Sequence, residues 1–318
     1  MTHRSLLALV DDYLAMRRNL GFHVKKQRWL LHSFARFLDR VEHRGPITID
    51  LAARWALSPC PGDPARAERR LWAVRQLARH LVAFDPATEI PPAGLFGRLK
   101  RRNHPHIYSD GEISTLLQEC SRLQPSDGLR PRTYVAFFSL MASTGLRLSE
   151  ARRLLRRDVD LEKGLLIIRE GKFRKSRLVP LHPTTVQALT RYAAHRDAFQ
   201  SARQSEFFFS TDRAPVLEHA AVEKTFSRLR DRLGWTTQGR AARPRIHDLR
   251  HTFAVRRLLL WYEQGADVNQ KILALATYLG HAKVTDTYWY LCATPELMAV
   301  TAQRFEHFAD DWHRDGLS

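Results

Sequence analysis

One stretch of the chain, Pro91-Pro92, Gly94, Gly97 and then Lys100-Arg101-Arg102-Asn103-His104-Pro105, is too rich in helix breakers and like charge to pack as a regular element. It divides the 318 residues into two folding units, in keeping with domains that usually run to about 100–200 residues. The expected organisation is a domain over 1–90, a basic linker over 91–107 and a larger domain over 108–318. Apolar spacing then sets the class of each part. Leu6, Leu9, Val10 and Tyr13 form one helical stripe, and Leu30, Leu31, Phe34, Phe37 and Leu38 form a second. Residues 65–84, with Leu71, Val74, Leu77, Leu81 and Val82, form a third, so the first domain is expected to be all-helical.

The larger domain also reads as mainly helical, with a small antiparallel sheet. Ser109 followed by Glu112 is a capping-box signature for a helix to about 122, and Tyr134 to Ser143 is apolar enough for a buried helix. Leu165 to Ile168 and Leu178 to Leu181 read as two strands around the basic turn Gly171-Lys172-Phe173-Arg174-Lys175-Ser176. Pro180 suits an edge strand, because it has no N–H for a ladder. Helices are expected near 183–200, 219–233, 247–264 and 267–278, with a last one capped by Thr294 and Pro295.

Composition narrows the partner. Lys and Arg total 51 against 33 Asp and Glu, a formal charge of +18 that calls for a polyanion, nucleic acid first. Only nine of the 51 are Lys, and Arg is the residue whose planar fork meets phosphate oxygens two at a time. The excess is 15 basic against 9 acidic residues up to position 90 and 36 against 24 beyond it, so both domains are expected to touch the same polyanion. No apolar run reaches the ~18 residues of a membrane span, and Asp11 and Asp12 interrupt any signal-peptide core, which gives the expectation of a soluble cytoplasmic protein. Cys60, Cys120 and Cys292 lie far apart, without the spacing of a disulfide framework or a thiolate zinc site.

Four short segments carry the chemistry: Thr144-Gly145-Leu146-Arg147-Leu148-Ser149-Glu150, the turn with Lys172, His247-Asp248-Leu249-Arg250-His251, and Leu279-Gly280-His281 with Tyr290 nine residues on. In this order they resemble the tyrosine recombinases, the phage-integrase family, over roughly residues 108–295. The resemblance implies a two-domain C-clamp around double-stranded DNA at a specific target site, with a helical N-terminal core DNA-binding domain. It also implies strand cleavage and rejoining through a 3′-phosphotyrosine, without ATP, metal or other cofactor. The wording Thr287-Tyr288-Trp289-Tyr290-Leu291 is closer to recombinases carried on transposable elements than to chromosome-dimer resolvases. The implied setting is the nucleoid, and the implied assembly a homo- or hetero-tetramer on DNA, with the stripe Leu297, Met298, Val300, Phe305 and Phe308 packing in cis or docking on a neighbour.

The same residues make chemical sense for attack on phosphorus, which needs a nucleophile, a leaving-group acid and neutralisation of developing charge. By the resemblance, Arg147 and Arg250 clamp the non-bridging oxygens, Lys172 protonates the departing 5′ oxygen, His247 acts as base or phosphate ligand, His281 bonds the phosphate and Tyr290 attacks it. Lys175 is the alternative acid and Tyr288 the rival nucleophile; two positions on a helix lie about 200° apart, so only one of the tyrosines can face the phosphate. Glu150 reads as a support for Arg147, His251 as packing support, Tyr278 as a core aromatic, and Arg174 and Arg177 as basic neighbours of the turn. His247 and His251 stand four apart as in a zinc helix, yet Asp248 replaces the expected Glu and Arg250 puts a cation beside any metal. A type IB topoisomerase and a non-catalytic DNA-binding accessory subunit are the alternatives that these motifs leave open.

Overall fold

The computed structural model describes residues 5–58, 62–97, 105–169, 176–237, 243–281 and 283–291. The chain forms two compact units, residues 1–102 and 103–318. The first is built of α1 (Leu6–Asn19), α2 (Lys25–Arg40), α3 (Ile49–Leu57) and α4 (Pro64–Leu81). Ser5, Thr48 and Asp63 each accept a hydrogen bond from a first-turn N–H, and Pro64 supplies a ready-made helical φ at the start of α4. Their apolar faces meet in one core around Val10, Leu31, Phe34, Trp55, Leu71, Val74 and Leu77. Three helices follow the expected stripes. α3 is an addition, a nine-residue helix that presents Leu51, Ala52, Trp55 and Ala56 to the core.

The break-rich stretch does not begin as a spacer. Buried Arg75 donates to the carbonyls of Pro91 (2.6 Å) and Pro92 (2.7 Å), and Glu68 accepts from Gly94 N, so 91–97 is tied down on α4 of the first unit. At its other end Tyr108 N donates to Thr252 Oγ1 (2.9 Å) and Ile107 packs beside Ala254 and Val255, within the second unit.

That second unit runs α5 (Asp110–Ser121), α6 (Leu129–Thr144), α7 (Leu148–Arg152), a 3₁₀ turn (Arg156–Asp158), β1 (Val159–Asp160), β2 (Leu165–Ile168), β3 (Arg177–Pro180), α8 (Pro183–Asp197), α9 (Gln200–Arg203), α10 (His219–Arg232), α11 (Ile246–Glu263), α12 (Val268–Leu279) and α13 (Thr285–Leu291). The capping box at Ser109 and Glu112 is present. The strands form an antiparallel sheet in the order β1-β2-β3, with Leu165 opposite Pro180 and Ile168 opposite Arg177. Pro180 thus lies on an outer strand, where its missing N–H costs no ladder bond. The helix expected from Thr294 and its apolar stripe lie outside the described residues, as does Lys172 with its turn.

α6 is the axis of the main core: Tyr134, Phe137, Phe138, Leu140 and Met141 are all buried, against Phe208, Phe209, Phe226, Leu166 and Val179. Removing one such ring costs about 3–5 kcal/mol. α11 spans two cores, since Ile246 and Leu249 belong to this one while Ala254, Val255 and Leu258 belong to a second with Leu275, Leu279 and Tyr290. Arg250 falls between them. No helix among the described residues is long and apolar enough to cross a membrane.

Candidate active site

Two glycine turns build the site. α6 ends at Gly145 (φ +63°) and α12 at Gly280 (φ +69°), both in the left-handed region that side chains avoid. A Cβ on Gly145 would stand 2.7 Å from Phe253 Cδ1, and one on Gly280 would stand 2.7 Å from Arg177 Nη1, so space as well as φ demands glycine. The turns direct terminal carbonyls at two guanidinium groups. Arg250 donates from Nη1 to Gly145 O (2.8 Å) and from Nη2 to Leu279 O (2.7 Å), while Arg147 donates from Nη2 to Gly280 O (2.7 Å). Helix C-termini carry negative partial charge, and here that charge replaces water around cations withdrawn from solvent.

Arg250 is 1% exposed, and burial pulls its pKa down to about 10, which leaves it charged at neutral pH. Arg147, at the head of α7, also donates from Nη1 to Glu150 Oε1 (2.7 Å), and its own N–H donates to Oε2 (3.0 Å). Arg177 grips the same carboxylate with two bonds, Nη1 to Oε1 (3.1 Å) and Nη2 to Oε2 (2.9 Å), and donates from Nε to Tyr278 O (2.7 Å). Burial works to raise the pKa of Glu150, yet the bonds and charge of Arg177 and Arg147 win and hold it at about 2. The acid expected as a support is therefore a permanent anion that fixes two guanidinium groups.

Arg177 is a correction to the sequence reading. Instead of standing in the turn as a basic neighbour of Lys172, it opens β3 with its side chain only 9% exposed, turned to Glu150. The signal was strand alternation: Arg177 shares a face with buried Val179.

The two tyrosines separate as helical spacing requires. Tyr290 is 3% exposed and Tyr288 42% exposed. The Tyr290 phenol shares a hydrogen bond with Arg250, and its ring lies edge-on to His251 (5.3 Å) and stacked on His281 (5.9 Å). His251 in turn meets His247 edge-on at 4.8 Å. Burial raises the pKa of Tyr290 more than the Arg250 charge and hydrogen bond lower it, so the resting side chain is a phenol. Burial, reinforced by Arg250, lowers the pKa of His247. The same causes take His281 to about 4, and burial with His247 takes His251 to about 3. All three imidazoles are neutral at pH 7 beside two fixed cations. Tyr278 is a packing residue, stacked on Phe253 at 5.5 Å.

Of the six residues singled out by sequence, Arg147, His247, Arg250, His281 and Tyr290 come together, and Lys172 lies outside the described residues. Sequence reasoning missed Thr287, a completely buried residue whose Oγ1 lies 2.7 Å from His281 Nδ1. It stood inside a quoted motif with nothing to mark it.

Known proteins resemble this chain in sequence and in fold. A Sinorhizobium fredii protein named as an integrase/recombinase, y4rB, is 38% identical over 306 residues, which cover 95% of this chain and 97% of that protein. The tyrosine recombinase XerD of Bradyrhizobium diazoefficiens is 29% identical, covering 90% of this chain and 91% of its own. In fold, the chain is similar to the Tn1549 transposon integrase in complex with transposon right end DNA, with a TM-score of 0.68 at 16% identity over 96% of this chain and 100% of that one. The sequence over residues 108–296, more than half its length, matches the phage integrase family. With the motif residues gathered at one buried tyrosine, the chain belongs to the phage integrase family of tyrosine recombinases.

Proposed function

We propose that this chain is a site-specific DNA recombinase of the integrase type, which cuts and rejoins duplex DNA through a 3′-phosphotyrosine on Tyr290. The observation that carries the reading is the setting of that phenol, buried against Arg250 and flanked by His251 and His281 while Tyr288 faces outward. A guanidinium has five N–H donors; Arg147 spends two on Glu150 and Gly280, and Arg250 two on carbonyls besides the bond it shares with the Tyr290 phenol, which leaves donors on each for the non-bridging oxygens of a scissile phosphate. Tyr290 Oη forms the new bond to phosphorus as the bond to the 5′ oxygen breaks. Neutral His247 takes the phenolic proton, and His281 donates to the phosphate. Lys172 supplies the proton to the departing 5′ oxygen, a role that rests on its motif alone. Rejoining reverses each step, so the energy of the phosphodiester is kept in the protein–DNA bond.

Both basic units contact the duplex in this reading. Four copies, identical or mixed, exchange strands between two sites, in the manner of recombinases carried on mobile elements. The test is a nicked suicide substrate built from any short inverted repeats found by searching the DNA that flanks the gene. A covalent adduct is expected with the wild type and none with Tyr290→Phe, at unchanged DNA affinity. Peptide mapping that finds the nucleotide remnant on Tyr288, or no adduct where the site is bound and cut, would overturn the assignment.

A further inference from the structure

α13, described over Thr285–Leu291, packs against α11 and α12. Thr285, Asp286 and Tyr288 are exposed, whereas Thr287 and Tyr290, one turn apart, are buried at 0% and 3%. The inward face thus carries the proposed nucleophile and one hydroxyl. That hydroxyl meets the ring of His281 at Nδ1, 2.7 Å away. His281 is itself fixed from behind: its backbone N–H donates to Ala276 O (2.9 Å) in the turn made by Gly280. The Thr287 to His281 bond therefore joins the tyrosine helix to the turn whose carbonyls hold Arg147 and Arg250.

A neutral imidazole has one N–H, and the nitrogen that carries it decides whether the ring can donate to a phosphate oxygen. His281 is such a ring, because burial and the charges of Arg250 and Arg147 keep it unprotonated. Something must choose its tautomer, and Thr287 is the group in hydrogen-bond contact with Nδ1.

Resting on the reading of Tyr290 as nucleophile, we infer that Thr287 is a positioning residue for strand cleavage. Its hydroxyl donates to Nδ1 of His281, which leaves the ring proton on Nε2 for the scissile phosphate, and the same bond latches α13 so that Tyr290 stays in line. Neither role brings Thr287 into contact with DNA.

Two Thr287 variants of the full chain test this on the nicked suicide substrate, with affinity measured by mobility shift and folding by melting temperature. Thr287→Val keeps the shape and removes the hydroxyl. Its rate of adduct formation is expected to fall about 10–100-fold, as for loss of other groups that orient a catalytic side chain, at unchanged affinity. Thr287→Ser restores the hydroxyl and is expected within about threefold of wild type on the same reasoning. Nitrogen NMR on histidine-labelled wild type, assigned by difference with His281→Asn, is expected to show the proton of His281 on Nε2. A Val variant as fast as wild type, a Ser variant as slow as Val, or a proton on Nδ1 overturns the inference. Should the Val variant not fold, the wild-type tautomer and the Ser rate decide. An adduct formed by Tyr290→Phe would instead sink the underlying reading, whatever Thr287 does.

Discussion

Replacing Glu150 by Gln probes the charge balance of the site with almost no change of shape. The carboxyl is held from an ordinary 4.5 down to about 2 by bonds and charges from Arg177 and Arg147, against the pull of burial. At about 1.4 kcal/mol per tenfold change in proton affinity, that preference is worth about 3 kcal/mol to the folded second unit at pH 7. The side chain is 5% exposed, so water screens little of it. Because the folded pKa lies below the unfolded one, the contribution is complete above about pH 4.5 and disappears as pH falls towards 2; at pH 3 linkage leaves about 1.4 kcal/mol. Hydrogen exchange of the slowest amides in peptides from α6 and α11 reads the opening of this unit within the intact chain. Glu150→Gln is expected to lose about 3 kcal/mol of protection at pH 7, and about half that difference at pH 3. Equal protection at pH 7, or a gap undiminished at pH 3, would refute the claim that an anion at 150 holds the two cations.

Gly280→Ala forces a side chain into φ +69° and sets a Cβ 2.7 Å from Arg177 Nη1, so it is expected to cost about 1–2 kcal/mol from backbone strain alone and to slow adduct formation by shifting the carbonyl that holds Arg147. Melting temperature and suicide-substrate rates, measured together, check both effects. Lys172→Ala is expected to block cleavage of ordinary DNA but not of a substrate with a 5′-phosphorothiolate link, whose sulfur departs without a proton. If the sulfur substrate gives no rescue while binding persists, the acid is another residue, with Lys175 next in line.

The helices were legible because their stripes are regular: α2 buries Leu30, Leu31, Phe34 and Leu38, and α4 buries Leu71, Val74, Leu77 and Leu81, with Phe37 and Val82 half-buried at the margin. α3 escaped because nine residues give the period little room. The hairpin was legible from Leu165 to Ile168 and Leu178 to Pro180, but β1 has two residues and no pattern to read. At the site, motif order named the residues proposed to act through their own type, such as Arg250 and His281. It was blind to groups that act through a partner. Arg177 looked like one more cation in a basic turn; alternation with Val179 marks its face, but its partner Glu150 lies 27 residues away and shows only in the fold. The stretch from Pro91 to Gly97 read as a linker for a related reason: its hydrogen bonds go to Arg75 and Glu68, which local sequence cannot show.

The arrangement also explains why guanidinium, rather than positive charge as such, stands at 147 and 250. In the proposed reaction, a cation that helps only when a phosphate is present must survive the resting state, withdrawn from much of the solvent and without that anion. Arg250 does so because Gly145 O and Leu279 O take two of its N–H groups, and Arg147 because Gly280 O and Glu150 take two of its own. Both keep further donors in fixed directions. An ammonium has three donors and a pKa that falls readily on burial, so after two protein bonds it would keep a single N–H and a weaker hold on its proton. The neighbouring imidazoles meet the opposite demand. Beside fixed cations they give up their charge, His281 at about 4 and His251 at about 3, and so can receive or direct a proton at pH 7 without adding to the repulsion. In the proposed reaction the division of labour follows from where each group's pKa can be moved: guanidinium stays charged under burial that neutralises histidine, and burial keeps Tyr290 a phenol.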